Sequence, residues 1–589
     1  MFIAFSFLTL TTLTQSHDPT PAIVAQSAVR PLPRIALWLF CLAYLVPGLV
    51  GREPWKGEEL QVFGQMLALA QGHSDWLHPT VWGQTLPLDA PLAYWMGAWA
   101  IGLAPSWLPA GSAARIPFAM LLALTLISTW YGAYYLGLGA RAQPVAFAFG
   151  GEAKPKDYAR TIADSATLAL IACLGLALLS HEATPMLMQL SFFGCAFFGA
   201  SALAYHPIKS SFALVVALMG LSLSGAPTLS VVLATGVGLI IFFEKENESD
   251  LPLRMYACAL FVCAIGIATM ANYFDLFHWR LSTKQRDWND WRGLFDLLVW
   301  FMWPAWPLVL WTLWQWRRQW LTRNWSRHLV LPLWFTALSI CVAMLTRTED
   351  QTLLLALPPM ATLAAFALPT FRRSFSAFID WFTLIFFTGC AFTIWVIWIA
   401  MQTGWPPQPA ANVARLAPGF TPTFSVLAFV FALIATAIWA WLVRWRVGRH
   451  RQAMWKSLVL PAGGAALCWL LLMSLWLPLL DFARSYVPWI QQIQQTMKTQ
   501  SAATSGCMMT YGLSVGQMTA FHYYGGFEIK PLDDAQSPQN ASCPWLLVDN
   551  DSRPELVQVA LIKEWRRIET IKRPANKNED VTLYVRRDK

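Results

Sequence analysis

Charge is scarce in this chain. Asp, Glu, Lys and Arg make up 13% of its 589 residues, while 56% are hydrophobic and the mean hydropathy is +0.44. A soluble domain carries about 25% charged residues, so a water-soluble globular protein is excluded and a polytopic membrane protein is expected. Several chemical signatures are also missing. No glycine-rich phosphate loop, dinucleotide-binding fingerprint, HExxH helix or GxSxG elbow occurs, which argues against ATP-driven transport and against a soluble-type hydrolase. No CxxC pair occurs either, which argues against a zinc-thiolate or redox motif. Eight of the ten cysteines lie in or beside apolar segments and read as packing residues. Only Cys507 and Cys543 fall in a polar region, where an extracytoplasmic setting would let them pair. Neither an inverted repeat nor a low-complexity tract is visible, which weakens a transporter reading.

Aromatic residues are abundant, with 33 Trp and 36 Phe. They suit interfacial belts and amphipathic cavities. The net charge of +9 is carried largely by short loops between spans, so topology explains it and nucleic acid is not implied as a partner. Thirteen spans are expected, at about 35–50, 91–108, 113–137, 164–180, 185–203, one net crossing in 206–243, then 254–272, 294–312, 329–345, 352–369, 378–400, 421–443 and 457–479. With the N-terminus in the cytoplasm, the basic loops 317–328 and 444–456 and the pair Arg372–Arg373 share its side. Residues 1–34 read as an extension, with only a faint likeness to a signal peptide. From 481 to 589 the composition changes to a soluble α/β unit, with a helix near 484–500 and strands near Met509–Leu513, Pro544–Asn550, Val557–Trp565 and Asp580–Arg587.

The stretch Gly51–Trp95 follows the first span and is the candidate working loop, because long structured loops tend to be functional. It holds Glu58, Glu59, Asp75 and Asp89 with Arg52, Lys56, His73 and His78. Leu60, Phe63, Leu67 and Ala70 recur at helical spacing and predict an amphipathic helix on the membrane surface. On the same expected face lie Asp164, His278, Arg280, Lys284, Arg286, Arg347, Glu349 and Asp350. Mixed acids and bases there suit a phosphate-linked ligand and an activated nucleophile. Each has a plainer reading. The basic residues suit lipid headgroups, Asp164 suits a helix cap, and the aromatic–proline run Phe301–Pro307 suits a kink that widens a span. A divalent metal is compatible with Glu58, Glu59 and Asp164, although no spacing demands one.

Taken in order, these features resemble the polyprenyl-phosphate-sugar-dependent membrane glycosyltransferases of the GT-C fold. Among these are the bacterial aminoarabinose transferases acting on lipid A and, more distantly, the protein O-mannosyltransferases. The resemblance rests on Glu58-Glu59, the helix over 60–70, Asp75-Trp76, Ala90–Trp95, Arg115-Ile116-Pro117, Asp164, Trp279–Pro307 and Arg347–Pro359. It implies an all-α polytopic membrane domain over 35–480 with amphipathic helices in the first periplasmic loop, and a periplasmic α/β domain over 481–589. It also implies a bacterial inner-membrane enzyme that moves a sugar from an undecaprenyl-phosphate-type carrier to a periplasmic lipid, glycan or protein, with inversion. Glu58 would be the general base, with Glu59 the neighbour that could take its place and Asp164 a further catalytic carboxylate. Arg280, Lys284, Arg286, Arg347, Asp89, Tyr94, Arg115 and His278 would surround the donor, and bilayer lipids its tail. The chain departs from the pattern at the base, where Glu replaces Asp. It departs again at Asp89 and at Ser224-Gly225-Ala226-Pro227, both of which lack the family's Lys. A flippase of a lipid-linked substrate, or a non-catalytic member acting in envelope assembly, is the alternative.

Overall fold

A computed structural model describes residues 20–244, 253–277, 287–321, 326–346, 349–371, 373–447, 453–500, 506–532, 543–552, 565–574 and 576–586. Among these residues, eight helices are long and apolar enough to cross a membrane, or nine if Trp288–Phe301 and Ala305–Gln315 form one span. Those two helices meet at an angle of 86°. Pro304 at the break has no N–H to continue the ladder, and the carbonyls of Phe301 and Trp303 are taken up by the backbone N–H groups of Gly175 and Leu174, at 3.0 and 3.1 Å. The expected kink is therefore present, and a neighbouring connection satisfies its loose polar groups.

The bundle has two ends, and contacts between connections identify them. At one end, the segment 20–33 is pinned rather than loose. Val145 N–H donates to Ala22 O, Ala153 N–H to Val24 O and Met454 N–H to Ala28 O, at 2.9, 3.0 and 3.0 Å. Trp455 Nε1 donates to Arg30 O at 2.7 Å, and Gln319 Nε2 reaches Arg141 O at 3.3 Å. The described flanks of the basic loops 317–328 and 444–456 thus gather at the N-terminal end. The other end collects the first loop, Gly111–Arg115, His181–Ala183, Gln351 and Asp481–Arg484.

This arrangement corrects the assignment of the early spans. Pro91–Gly102 has 12 residues, about 18 Å at 1.5 Å per residue, against a hydrocarbon core of about 30 Å. The segments before and after it both lie at the first-loop end, so it does not cross. The second crossing is Ala110–Leu138. The next helix, Pro155–Ala172, starts at the N-terminal end. There Gln26 Nε2 holds Asp157 Oδ2 at 2.7 Å, and Arg160 reaches Leu32 O at 3.4 Å. Lys154, Lys156, Asp157 and Arg160 therefore sit with the N-terminus and not on the outer face, where the three crossings expected before them would put them. The stretch 206–243 is a hairpin of two crossing helices, Pro207–Leu223 and Pro227–Phe243. Gly225 turns it with φ +94°, and a Cβ there would lie 2.8 Å from Asp89 O. One crossing lost and one gained leave the basic loops on their expected side.

The helix Glu58–Ala70 exists but does not lie on a membrane surface. Leu60, Val62, Phe63, Met66, Leu67 and Leu69 are all buried, because both faces are covered. On one side Gly97 of Pro91–Gly102 lets Met66 approach, since a Cβ at Gly97 would meet the sulfur at 2.2 Å. On the other, Gly64 faces Thr519, whose Oγ1 lies 2.1 Å from where a Cβ would stand.

Thr519 belongs to the C-terminal domain. Among the described residues its sheet has five strands, β1 Cys507–Tyr511, β2 Glu528–Pro531, β3 Trp545–Asp549, β4 Trp565–Arg573 and β5 Asn576–Arg586, in the order β2-β1-β3-β5-β4, and the expected strand over Val557–Trp565 lies outside them up to Trp565. β1 runs parallel to β2 and β3, and β5 antiparallel to β3 and β4. The crossover helix Val515–Gly525 opens with a Ser514–Gln517 capping box and closes on Gly526 at φ +68°. Cys507 and Cys543 are bonded, with Cα atoms 5.0 Å apart, within the normal range for a disulfide.

Candidate functional site

The first loop is organised around a buried carboxylate. Glu59, in the first turn of its helix, is 3% exposed. It accepts from Arg52 Nη1 at 2.6 Å and Nη2 at 2.9 Å, Arg115 Nε at 3.1 Å, Trp55 N–H at 3.1 Å and Ala183 N–H at 3.3 Å. Burial alone would raise its pKa, but the two guanidiniums and the other donors outweigh that and hold it at about 2. The five N–H groups of Arg52 are also taken: Nε by Gly48 O at 2.6 Å, the rest by Glu53 O at 3.3 Å, His181 O at 2.6 Å and the two Glu59 oxygens. The network ties the first loop to the helix starting at Ala110 and to the connection 173–184. Glu59 is held as an anion with its lone pairs engaged by these donors.

Glu58, its neighbour, turns the other way. Gln351 Nε2 donates to Glu58 Oε2 at 2.7 Å. Gln351 lies in Glu349–Leu353, which packs against Trp288–Phe301. The segments just before these two helices carry His278, Arg280, Lys284, Arg286 and Arg347, which lie outside the described residues. Their described flanks lead to the Glu58 region.

The indole of Trp55 forms another wall. Arg52 Cζ lies 4.5 Å and Arg484 Cζ 4.9 Å from its ring centroid. Its Nε1 donates to Asp481 Oδ1 at 2.7 Å. Burial pushes the Asp481 carboxyl up to about 6 despite that bond. An open cleft of about 370 Å³ lies beside it, lined by Glu53, Asp481, Phe420 and Phe482 among others.

Other expected site residues are distributed unevenly. Arg115 is in the network. Asp89 meets Gly225, so the two elements that lack the family's Lys are brought together. Tyr94 is buried in the helix Pro91–Gly102. Asp164 is not at this site. It accepts from Trp130 Nε1 at 2.8 Å and Leu32 N–H at 3.3 Å. Trp130 is fifteen residues beyond Arg115 on one helix, about 22 Å away along its axis. Asp164 therefore belongs near the N-terminal end, and it sits mid-helix rather than at a cap. With Asp164 remote and Glu59 held by arginines, the trio considered for a divalent metal does not assemble. Among the described residues no group of three or more His, Cys, Asp or Glu could hold one.

Sequence reading missed Glu182, His181, Asp481 and Arg484. Glu182 had a usable signal, an ionisable residue between the apolar runs Leu176–Leu179 and Met186–Leu190. Burial, and next the Glu59 charge, push its carboxyl up to about 7.

No family model matches the chain, and no curated protein matches it. Two solved structures do. The crystal structure of ArnT from Cupriavidus metallidurans in the apo state aligns with a TM-score of 0.59 at 13% identity, covering 93% of this chain and 96% of that one. The same protein bound to undecaprenyl phosphate aligns at 0.56 and 15%, covering 94% and 97%. The fold resemblance therefore runs through both the membrane bundle and the C-terminal domain.

Proposed function

We propose that the chain is an inner-membrane glycosyltransferase that moves a sugar from an undecaprenyl-phosphate-type carrier to a lipid, glycan or protein acceptor in the periplasm. The observation that carries this reading is the end-to-end fold match to ArnT, one of whose structures holds undecaprenyl phosphate, together with a carboxylate–arginine site at the first-loop end. The reaction is a single displacement with inversion at the anomeric carbon. Glu58 engages the acceptor at the position of the family's first-loop carboxylate. Arg280, Lys284, Arg286, Arg347 and His278 bind the carrier phosphate from the segments flanking Trp288–Phe301 and Glu349–Leu353, with Asp89 and Tyr94 on the Gly225 side. Arg115 and Glu59 position the loop. Counting Pro155–Ala172 and the shorter helices Arg34–Leu45, Pro207–Leu223 and Pro227–Phe243 with the nine candidate spans gives thirteen crossings, which supports an N-terminus in the cytoplasm and a disulfide-bearing domain in the oxidising periplasm.

The test is mass spectrometry of envelope lipids, glycans and proteins with the wild type, without the gene, and with Glu58→Gln. We expect one glycoconjugate to disappear in the deletion and to fall about 100-fold in Glu58→Gln, with folding unchanged. No altered glycoconjugate in the deletion sinks the reading.

A further inference from the structure

We infer that Glu182 is a catalytic carboxylate of this site and that the acceptor's proton ends on it during transfer. This rests on the transferase reading and assigns to Glu182 the base role that the sequence pattern gave to Glu58.

Among the carboxylates at the first-loop end, Glu58, Glu59 and Glu182 lie close enough to act on one another, and their surroundings differ. Glu59 is saturated by five donors. Glu58 is engaged by Gln351. Glu182 is held in place by its backbone neighbours, since His181 O accepts from Arg52 and Ala183 N–H donates to Glu59. Its own carboxylate forms no hydrogen bond or ion pair among the described residues. The nearby cation cannot supply one, because all five Arg52 donors are spent on other oxygens. The charged groups acting on Glu182 are Arg52, Glu58 and Glu59 of the first loop and Arg484 of the helix Leu477–Arg484. His181, beside it, has both ring nitrogens on the carbonyls of Ala177 and Tyr44. Glu182 thus keeps open lone pairs in partly desolvated surroundings. A proton affinity of about 7 matches what a base at neutral pH needs.

The step balances as follows. The acceptor's O–H or N–H bond breaks and its proton goes to a Glu182 oxygen. The freed electron pair forms the bond to the anomeric carbon. The bond from that carbon to the phosphate oxygen breaks, and its electrons leave with the carrier phosphate. Glu182 then returns the proton to water. Glu58, oriented by the hydrogen bond from Gln351, holds the acceptor in line.

The experiment uses the full chain in nanodiscs, with a panel of undecaprenyl-phosphate-linked hexoses and pentoses as donors and an envelope lipid extract as acceptor. Infrared difference spectra of wild type against Glu182→Gln follow the protonated carboxyl band with pH. Release of undecaprenyl phosphate is followed across about pH 5 to about pH 9. We expect a band that titrates near neutrality and is absent from Glu182→Gln. We also expect an activity limb rising through the same midpoint, and a fall in kcat of about 100-fold or more in Glu182→Gln at little-changed KM. Glu182→Asp should restore part of the rate, and Glu58→Gln should keep the neutral limb at reduced rate. A Glu182→Gln variant with wild-type rate and pH profile overturns this assignment and leaves the transferase reading standing. A wild-type carboxyl already ionised at about pH 5 overturns it whatever the activity. A wild type that releases no undecaprenyl phosphate while its carboxyl titrates as expected overturns the transferase reading, and this assignment falls with it.

Discussion

Glu59 and Asp164 are both buried carboxylates that touch the helix Ala110–Leu138, about 22 Å apart along it. Their partners set them apart. Glu59 faces two guanidiniums that bridge three segments of chain. Asp164 faces one indole N–H and one backbone N–H, and ties the N-terminal segment to the bundle. The first is a charged hub that shapes a site, and the second is a clasp between elements. A carboxylate's residue type therefore says little about its role until its donors are known.

The comparison breaks most sharply at Arg52. Arg52→Met leaves Glu59 short of its main counter-charge, and removing one partner of a buried pair costs about 3–5 kcal/mol. Thermal unfolding should register that loss together with loss of transfer, and a near-native melting temperature would mean that the hub is not structural. Acid should reach the same hub. The folded Glu59 value of about 2 lies below its usual 4.5, so its contribution is present above about pH 4.5 and is lost as pH falls from there toward about 2. Glu59→Gln should flatten that acid limb in a melting-against-pH series.

A smaller effect is expected at the clasp. Asp164→Asn keeps one acceptor for Trp130 or Leu32, so roughly 1 kcal/mol of stability should go with transfer unchanged within about twofold. A loss of transfer comparable to that of Glu58→Gln would put Asp164 back among the catalytic residues.

The smallest effect has the opposite sign. Asp481 has its folded value raised from 3.8 to about 6, so its penalty sets in as pH rises through that window. Asp481→Asn should match the wild type below about pH 4 and gain stability above about pH 6 in the same melting series, solvent screening of this half-buried group holding the gain to about 1 kcal/mol. A variant less stable than the wild type at pH 7 would mean that the Trp55 bond outweighs the burial.

Much of the fold was legible because hydropathy and turn chemistry are local. The kink at Phe301–Pro307, the sandwiched helix after Glu58 and the α/β tail follow from proline, periodicity and alternation. The early spans were misassigned for a physical reason. Pro91–Gly102 is apolar because one of its faces packs on Glu58–Ala70 and on the helix after it, and Pro155–Ala172 is a crossing that carries Asp157, Arg160 and Asp164 because other helices surround it. Hydropathy measures what a segment can tolerate and does not report whether lipid or protein covers it. Glu182 escaped notice because its importance comes from Arg52 being used up elsewhere.

The sequence by itself determined the membrane class, the basic loops on one side, the acidic first loop and the soluble tail, since each follows from composition or local spacing. Only the tertiary structure decided that Glu59 is a hub, that Asp164 belongs to the other end and that Glu182 keeps its lone pairs. Those outcomes depend on which donors meet which oxygens across more than a hundred residues of chain, and no local pattern encodes that meeting.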